Sequence, residues 1–198
     1  MVSISIIIPI YNVEAYIRRC LVSVMTQEFA DAVVECILID DCSPDRSMAI
    51  VEEMVTNYDG PISFVLLKHE INRGLSATRN TGILHAKGDY VFFMDSDDYI
   101  LPHCLQYFTD NQSKFKDVDM LIGNAKNCKA NNNLINGVHD TCLMTDRNLF
   151  FQRMLQHKIY LYAWNKLIKR DVLMCHHIFF EESILYEDQC WSYLLFSK

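Results

Sequence analysis

Four short apolar runs recur through the first half of the chain: Ser3–Ile8 (SISIII), Val33–Ile39 (VVECILI), Ile62–Leu67 (ISFVLL) and Tyr90–Met94 (YVFFM). Uninterrupted stretches this short, rich in β-branched and aromatic residues, have the pattern of strands covered on both faces. Between them lie segments of helical spacing. Ile17, Cys20, Leu21, Val24 and Met25 continue through about Gln27. Met48, Val51, Met54 and Val55 follow Ser43 and Pro44, which read as a cap and a first-turn proline. A third helix is expected from about Leu75 to Ala86, with Gly88 as its left-handed stop. Proline cannot donate to a ladder, so Pro9 is expected to end the first strand. This β-α alternation specifies an α/β fold with an open, mostly parallel sheet flanked by helices. Such a sheet takes ligands beyond the carboxyl ends of its strands. Three polar tips, Pro9–Asn12, Asp40–Ser43 and Asp95–Asp98, are therefore expected to share one crevice.

The most chemical of these tips follows the fourth run, in Gly88–Tyr99 (GDYVFFMDSDDY). In an extended chain Asp95 and Asp97 face one side and Ser96 the other. Two hard oxygen donors on one side suit Mg²⁺ or Mn²⁺, with water and phosphate oxygens completing the shell. The same residues also read as an Asp-rich turn in which Asp98 caps a helix beginning near Leu101 and Pro102. An acidic residue ending a strand often receives ribose hydroxyls, so Asp40 or Asp41 is a candidate for holding a nucleoside. Neither GxGxxG nor GxxxxGK[ST] occurs, which argues against a dinucleotide enzyme or a P-loop NTPase. A nucleoside diphosphate held by metal and side chains fits the set.

A chain of 198 residues suits a single domain, and 51% apolar with 22% charged residues is a globular composition. The net charge of −7 and the lack of clustered Lys and Arg exclude a nucleic-acid partner. Eight cysteines, at positions 20, 36, 42, 104, 128, 142, 175 and 190, are scattered without a CxxC pair. With no signal peptide at Met1–Ile10, they read as reduced thiols of a cytoplasmic protein. Cys175, His176 and His177 are adjacent, a spacing that does not converge on one zinc ion. No apolar run approaches the ~20 residues of a membrane span. Later in the chain a helix near Leu105–Phe115, a strand at Met120–Gly123 and a turn-rich excursion at Asn131–Gly137 are expected. A helix at about Arg147–His157, the stretch Tyr160–Lys169, a helix near Asp171 and a last helix over Tyr186–Phe196 follow. Glu187 and Asp188 fall in the first turn of that last helix, where acidic residues complement the dipole without any catalytic role.

Taken together, the motifs resemble glycosyltransferase family 2. They are IIIPIYN (Ile6–Asn12), LIDDCSPD (Leu38–Asp45), NRGLSATRNTGI (Asn72–Ile83), GDYVFFMDSDD (Gly88–Asp98), and the late WNK and YEDQCW segments. They occur in the family's order and span nearly the whole chain. The resemblance implies a GT-A fold, a Rossmann-like arrangement, with a nucleotide-sugar-binding half at 1–100 and an acceptor-side half at 101–198. It implies an inverting transferase moving a sugar from a nucleotide donor, usually a UDP-sugar, to a hydroxyl of a glycan or lipid-linked glycan. By the same resemblance Pro9, Tyr11, Asn12 and Asp41 surround base and ribose, with Asp40 and Ser96 beside them. Asp95 and Asp97 form a DxD motif whose main metal ligand is Asp97, Arg79 lies near the diphosphate or donor sugar, and Asp188 is the general base. Trp164, Lys166 and Glu187 belong to the acceptor or donor-sugar side. Trp164 reads either as a sugar-stacking ring or as core. Lys166, Lys169 and Arg170 read either as a phosphate contact, or peripheral contact at the inner face of the cell membrane, or as a solvated face. The chain stops at Lys198, where family members usually continue, so a shortened chain is expected. Two rivals stay open. One is a DxD phosphatase, whose motif belongs on the first strand, and the other is a sugar-nucleotide-binding module without turnover.

Overall fold

The four apolar runs become neighbours in one sheet. In the computed structural model, residues 1–115, 118–125, 143–156, 158, 159 and 161–198 are described. The first half forms β1 (Val2–Ile10), α1 (Ile17–Met25), β2 (Ala32–Asp40), α2 (Ser47–Thr56), β3 (Ser63–Lys68), α3 (Gly74–His85) and β4 (Tyr90–Phe93). The second half contributes α4 (Cys104–Lys114), β5 (Met120–Ile122), α5 (Arg147–Leu155), β6 (Lys166–Lys169), α6 (Arg170–Cys175) and α7 (Glu187–Phe196). The sheet order is β3-β2-β1-β4-β6-β5. The pairings β1·β2, β1·β4 and β2·β3 are parallel, whereas β6 joins both neighbours antiparallel. Asn131–Gly137 lies outside the described residues.

Alternation along the buried strands sends side chains to two separate cores. Ile4, Ile6 and Ile8 of β1 pack with Cys20, Leu21 and Val24 of α1, Val51 of α2 and Phe108 of α4. Ile7 points the other way, with Ile37, Ile39, Ile83, Phe93, Phe180 and Trp191. On that second face the Trp191 ring stacks on Phe180 with centroids 4.5 Å apart, and both meet Phe93 edge-on. Helix α7 is thereby docked on the back of β4.

Three local expectations are corrected. Pro9 lies inside β1, opposite Ile39 of β2, rather than ending it. The carbonyl of Ile10 accepts the Asp41 amide on the β2 side, and that of Ile7 accepts the Met94 amide on the β4 side. Pro9, two residues beyond Ile7, thus turns its missing donor toward the side where pairing with β4 has ended. Helix α2 begins at Ser47, not at Ser43 and Pro44, because Ser43 and Asp45 are committed to other bonds. Gly88 is not left-handed; among the described glycines only Gly74 has positive φ, at 84°. A glycine is required at 88 because a Cβ there would lie 2.7 Å from the Ser5 nitrogen.

Candidate active site

The ends of β1 and β2 form one wall of a cleft of about 380 Å³, lined by Pro9, Ile10, Tyr11, Asp41, Asn72, Gly74, Leu75, Thr78 and Ser96. Tyr11, 48% exposed, offers an aromatic ring to it. Asn12, at the rim, adopts a left-handed φ of 54° and donates its amide to Ser43 Oγ at 2.8 Å. Asp41 is 2% exposed and densely bonded. Its Oδ1 accepts from His69 Nδ1 at 2.7 Å and the Arg73 amide at 2.8 Å, and its Oδ2 from the Gly74 amide at 2.8 Å. A carboxylate offers about four lone-pair positions, so about one remains for a ligand. Asp40 takes a different part: it accepts from the Ser43 amide and pairs with Lys68 at 3.6 Å, and it does not line the cleft.

Beyond Met94 the chain does not stay extended. The Asp98 amide donates to the Asp95 carbonyl at 3.1 Å, closing a turn, so the alternation argument for this tip fails. Ser96, expected to face away, is 7% exposed and lines the cleft, while Asp97 is exposed. Asp95 Oδ1 accepts from Arg79 Nη2 at 2.8 Å, and Arg79 Nη1 donates to Glu187 Oε1 at 2.9 Å. Arg79, 3% exposed, sits over the Phe180 ring and ties the DxD turn to α7. The turn carries excess negative charge. Burial, then the charges of Asp97 and Asp95, pushes the Asp98 carboxyl up. Among the described residues no three metal-binding side chains converge. Exposed Asp97, with the second oxygen of Asp95, fits a divalent ion whose further ligands are water and the oxygens of a bound diphosphate.

On the other side of Arg79, Asp188 lies in the first turn of α7, which Tyr186 enters with a left-handed φ of 60°. Burial and the neighbouring Glu187 charge raise its pKa, against the lowering charge of Arg79 and the Gln189 amide. The stretch leading into the WNK segment is tied to this helix by Ser192 Oγ donating to the Leu161 carbonyl at 2.8 Å. Trp164 is half-buried and stacks on Tyr162 at 4.7 Å.

The basic cluster does not form one face. Lys166 is wholly buried, its Nζ donating to the Tyr162 and Trp164 carbonyls and to Asn165 Oδ1. Burial brings its pKa down to about 7, with the Asp188 charge opposing the fall. Lys169 and Arg170 instead border a cavity with Lys87, Asp89 and Gln112, and Lys169 pairs with Asp119 at 3.3 Å. The solvated-face reading therefore fails for Lys166, and no surface is shared by all three.

Asn72, Gly74, Leu75 and Thr78 line the cleft; they lie in the NRGLSATRNTGI motif, but no site role was assigned to them from sequence. The signal was the glycine opening a helical run: Gly74 starts α3 at positive φ and lends its amide to Asp41. Among the described residues Cys20, Cys36, Cys42, Cys104, Cys175 and Cys190 are free thiols, and no helix is long and apolar enough to cross a membrane.

The fold, with a sheet of this order, a cleft at the carboxyl ends of β1 and β2 and an acidic turn after β4, is of the GT-A type. The chain matches Glycosyl transferase family 2 over residues 5–176, and it belongs to that family. It is 30% identical over 197 residues to the putative glycosyltransferase EpsH of Bacillus subtilis, covering 96% of this chain and 55% of that protein. The chain thus spans about half the length of this relative. The Staphylococcus aureus TarS 1-349 structure in complex with UDP-GlcNAc superposes with a TM-score of 0.76 at 26% identity, over 98% of this chain and 53% of that one. The mannosyltransferase PcManGT of Pyrobaculum calidifontis, in complex with GDP-Man and Mn²⁺, shares the fold with a TM-score of 0.66 at 16% identity, over 95% of this chain and 50% of that one.

Proposed function

We propose that the chain is the catalytic region of an inverting glycosyltransferase using a UDP-sugar and a hydroxyl of a glycan or lipid-linked glycan. The observation that carries this reading is the Arg79 bridge, which sets the acidic turn after β4 and the Glu187–Asp188 start of α7 on either side of one guanidinium. Donor and acceptor chemistry need that proximity. In the cleft, Tyr11 stacks on the base, and the remaining lone pair of Asp41 accepts the N3 proton of uracil. Pro9, Asn12 and Ser96 shape the base and ribose sites. Asp97 and Asp95 would hold Mn²⁺ or Mg²⁺, which when bound supplies positive charge to the leaving diphosphate. The complex of PcManGT with GDP-Man and Mn²⁺ supports the metal, and the complex of TarS with UDP-GlcNAc supports the uridine.

In the reaction the acceptor oxygen forms a bond to the anomeric carbon as the bond to the diphosphate oxygen breaks. Asp188 takes the acceptor proton, and a single displacement inverts the centre. Its raised pKa makes it a stronger base than an ordinary aspartate. Arg79 holds Asp95 and Glu187 rather than standing free beside the donor, so its part is to fix the two halves of the site. Trp164, stacked on Tyr162 and three residues after the Leu161 carbonyl that Ser192 binds, belongs to the acceptor side. The test is transfer measured separately from donor hydrolysis, with UDP-sugars offered to hydroxyl acceptors. Transfer that depends on Asp188 supports the reading, whereas tight UDP binding with no turnover on any acceptor supports a binding module.

A further inference from the structure

Asp45 is absent from the site as described, yet it governs the backbone of the loop that carries Tyr11. The amides of three consecutive residues after β1 converge on it. The Glu14 amide donates directly to Asp45 Oδ2 at 2.8 Å. The Asn12 amide donates to Ser43 Oγ at 2.8 Å, and Ser43 Oγ donates to Asp45 Oδ1 at 2.8 Å. The Val13 amide donates to Ser47 Oγ at 3.0 Å, and Ser47 Oγ donates to Asp45 Oδ1 at 2.6 Å. A hydroxyl has one proton and two lone pairs, so each serine accepts an amide on its oxygen while giving its proton to the carboxylate. The Ser47 amide adds a further bond to Oδ1 at 3.0 Å, and Glu14 returns one by accepting the Arg46 amide at 2.9 Å. Burial pushes the Asp45 carboxyl up, but the Ser47 hydroxyl and amide, the Glu14 amide and the Ser43 hydroxyl outweigh it and hold the pKa at about 2.

The relay answers a backbone problem. Asn12 and Cys42 both sit at left-handed φ, 54° and 59°, one in each facing loop. Such conformations cost energy for non-glycine residues and persist only where the surroundings determine them. The geometry points to Asp45 as a positioning residue for nucleotide binding: through Ser43 and Ser47 it fixes the Asn12–Glu14 backbone, and with it the ring of Tyr11 at the cleft. This rests on the nucleotide reading of the cleft, and the role belongs to an acceptor-only side chain with enough lone pairs for all branches.

The experiment reads amide exchange by NMR together with calorimetric titration of UDP. In Asp45→Ala the exchange of the Asn12, Val13 and Glu14 amides should accelerate on the order of ten-fold, while the β1 amides of Ile6 and Ile8 keep their protection. Ser43→Ala should free only the Asn12 amide and Ser47→Ala only that of Val13, and these variants decide the matter if Asp45→Ala fails to fold. The UDP dissociation constant should rise about ten-fold in Asp45→Ala at unchanged stoichiometry, from the loss of bonds to ordered amides. A merely destabilised protein would lose stoichiometry instead. Unchanged exchange in the variants overturns the proposal, as does accelerated exchange with an unchanged UDP affinity. A wild type that does not bind UDP overturns the uridine reading, while the exchange pattern still decides whether Asp45 holds the loop.

Discussion

Asp188 illustrates how one side chain's surroundings set its chemistry. Burial and Glu187 raise its pKa, so the acid limb of the transfer rate should lie above the 3.9 or so of an ordinary aspartate. The sign is that of a base: activity appears as pH rises through the raised value and is lost below it. Asp188→Asn should lower kcat for transfer by about 10² to 10⁴ while leaving the UDP dissociation constant nearly unchanged, measured by product formation and calorimetry. Near-normal turnover in that variant would remove Asp188 from the base role. Arg79 calls for a different test, because it joins elements. Arg79→Met leaves Asp95 and Glu187 without their cation. Removing one partner of a buried pair costs about 3 to 5 kcal/mol, and the low end is expected here because both carboxylates keep some solvent contact. Urea denaturation reads the loss. At this scale Asp41 and Asp95 were singled out because acidic residues stood at strand ends. Asp188 was singled out only through the family resemblance, its place at a helix start having a dipole reading of its own. Asp45 was not, because Ser-Pro-Asp carries the same letters whether it caps a helix or anchors a neighbouring loop.

Among the elements, the first four strands were legible from their apolar runs, since a buried parallel strand must be apolar on both faces. Strand β6 was not, because KLIK has lysines at both ends and its pairing is decided by a distant tertiary contact. The turn after β4 escaped for a related reason: strand alternation was carried past Met94, where the Asp98 amide folds back on Asp95. Glycines show how closely the elements approach. Gly88 leads into β4 with Ser5 of β1 so near that an added Cβ would meet its nitrogen at 2.7 Å and the Ile4 carbonyl carbon at 2.8 Å. Backbone cannot move aside as a side chain can. Gly88→Ala should therefore destabilise the fold by about 1 to 3 kcal/mol, seen as a lower urea midpoint at unchanged slope. An unchanged midpoint would mean that β1 and β4 are less tightly apposed than described.

At the scale of the molecule, the fold brings three features together: a cleft at the ends of β1 and β2, proposed to take base and ribose, an acidic turn after β4, and a carboxylate on α7. The acidic turn lacks a third protein ligand among the described residues, so donor and metal should bind together. UDP affinity is expected to fall when EDTA replaces Mn²⁺, and Asp97→Ala should abolish the metal-dependent part; equal affinities would exclude the ion from the site. The central claim is that the cleft reads a uracil through Asp41, and calorimetric titration of the wild type with UDP and CDP tests it most directly. Cytosine presents an acceptor nitrogen where uracil presents N3–H, and a buried acceptor left unpaired costs about 1 to 3 kcal/mol. UDP should bind roughly ten-fold or more tightly than CDP. Equal affinities for the two nucleotides would contradict that claim.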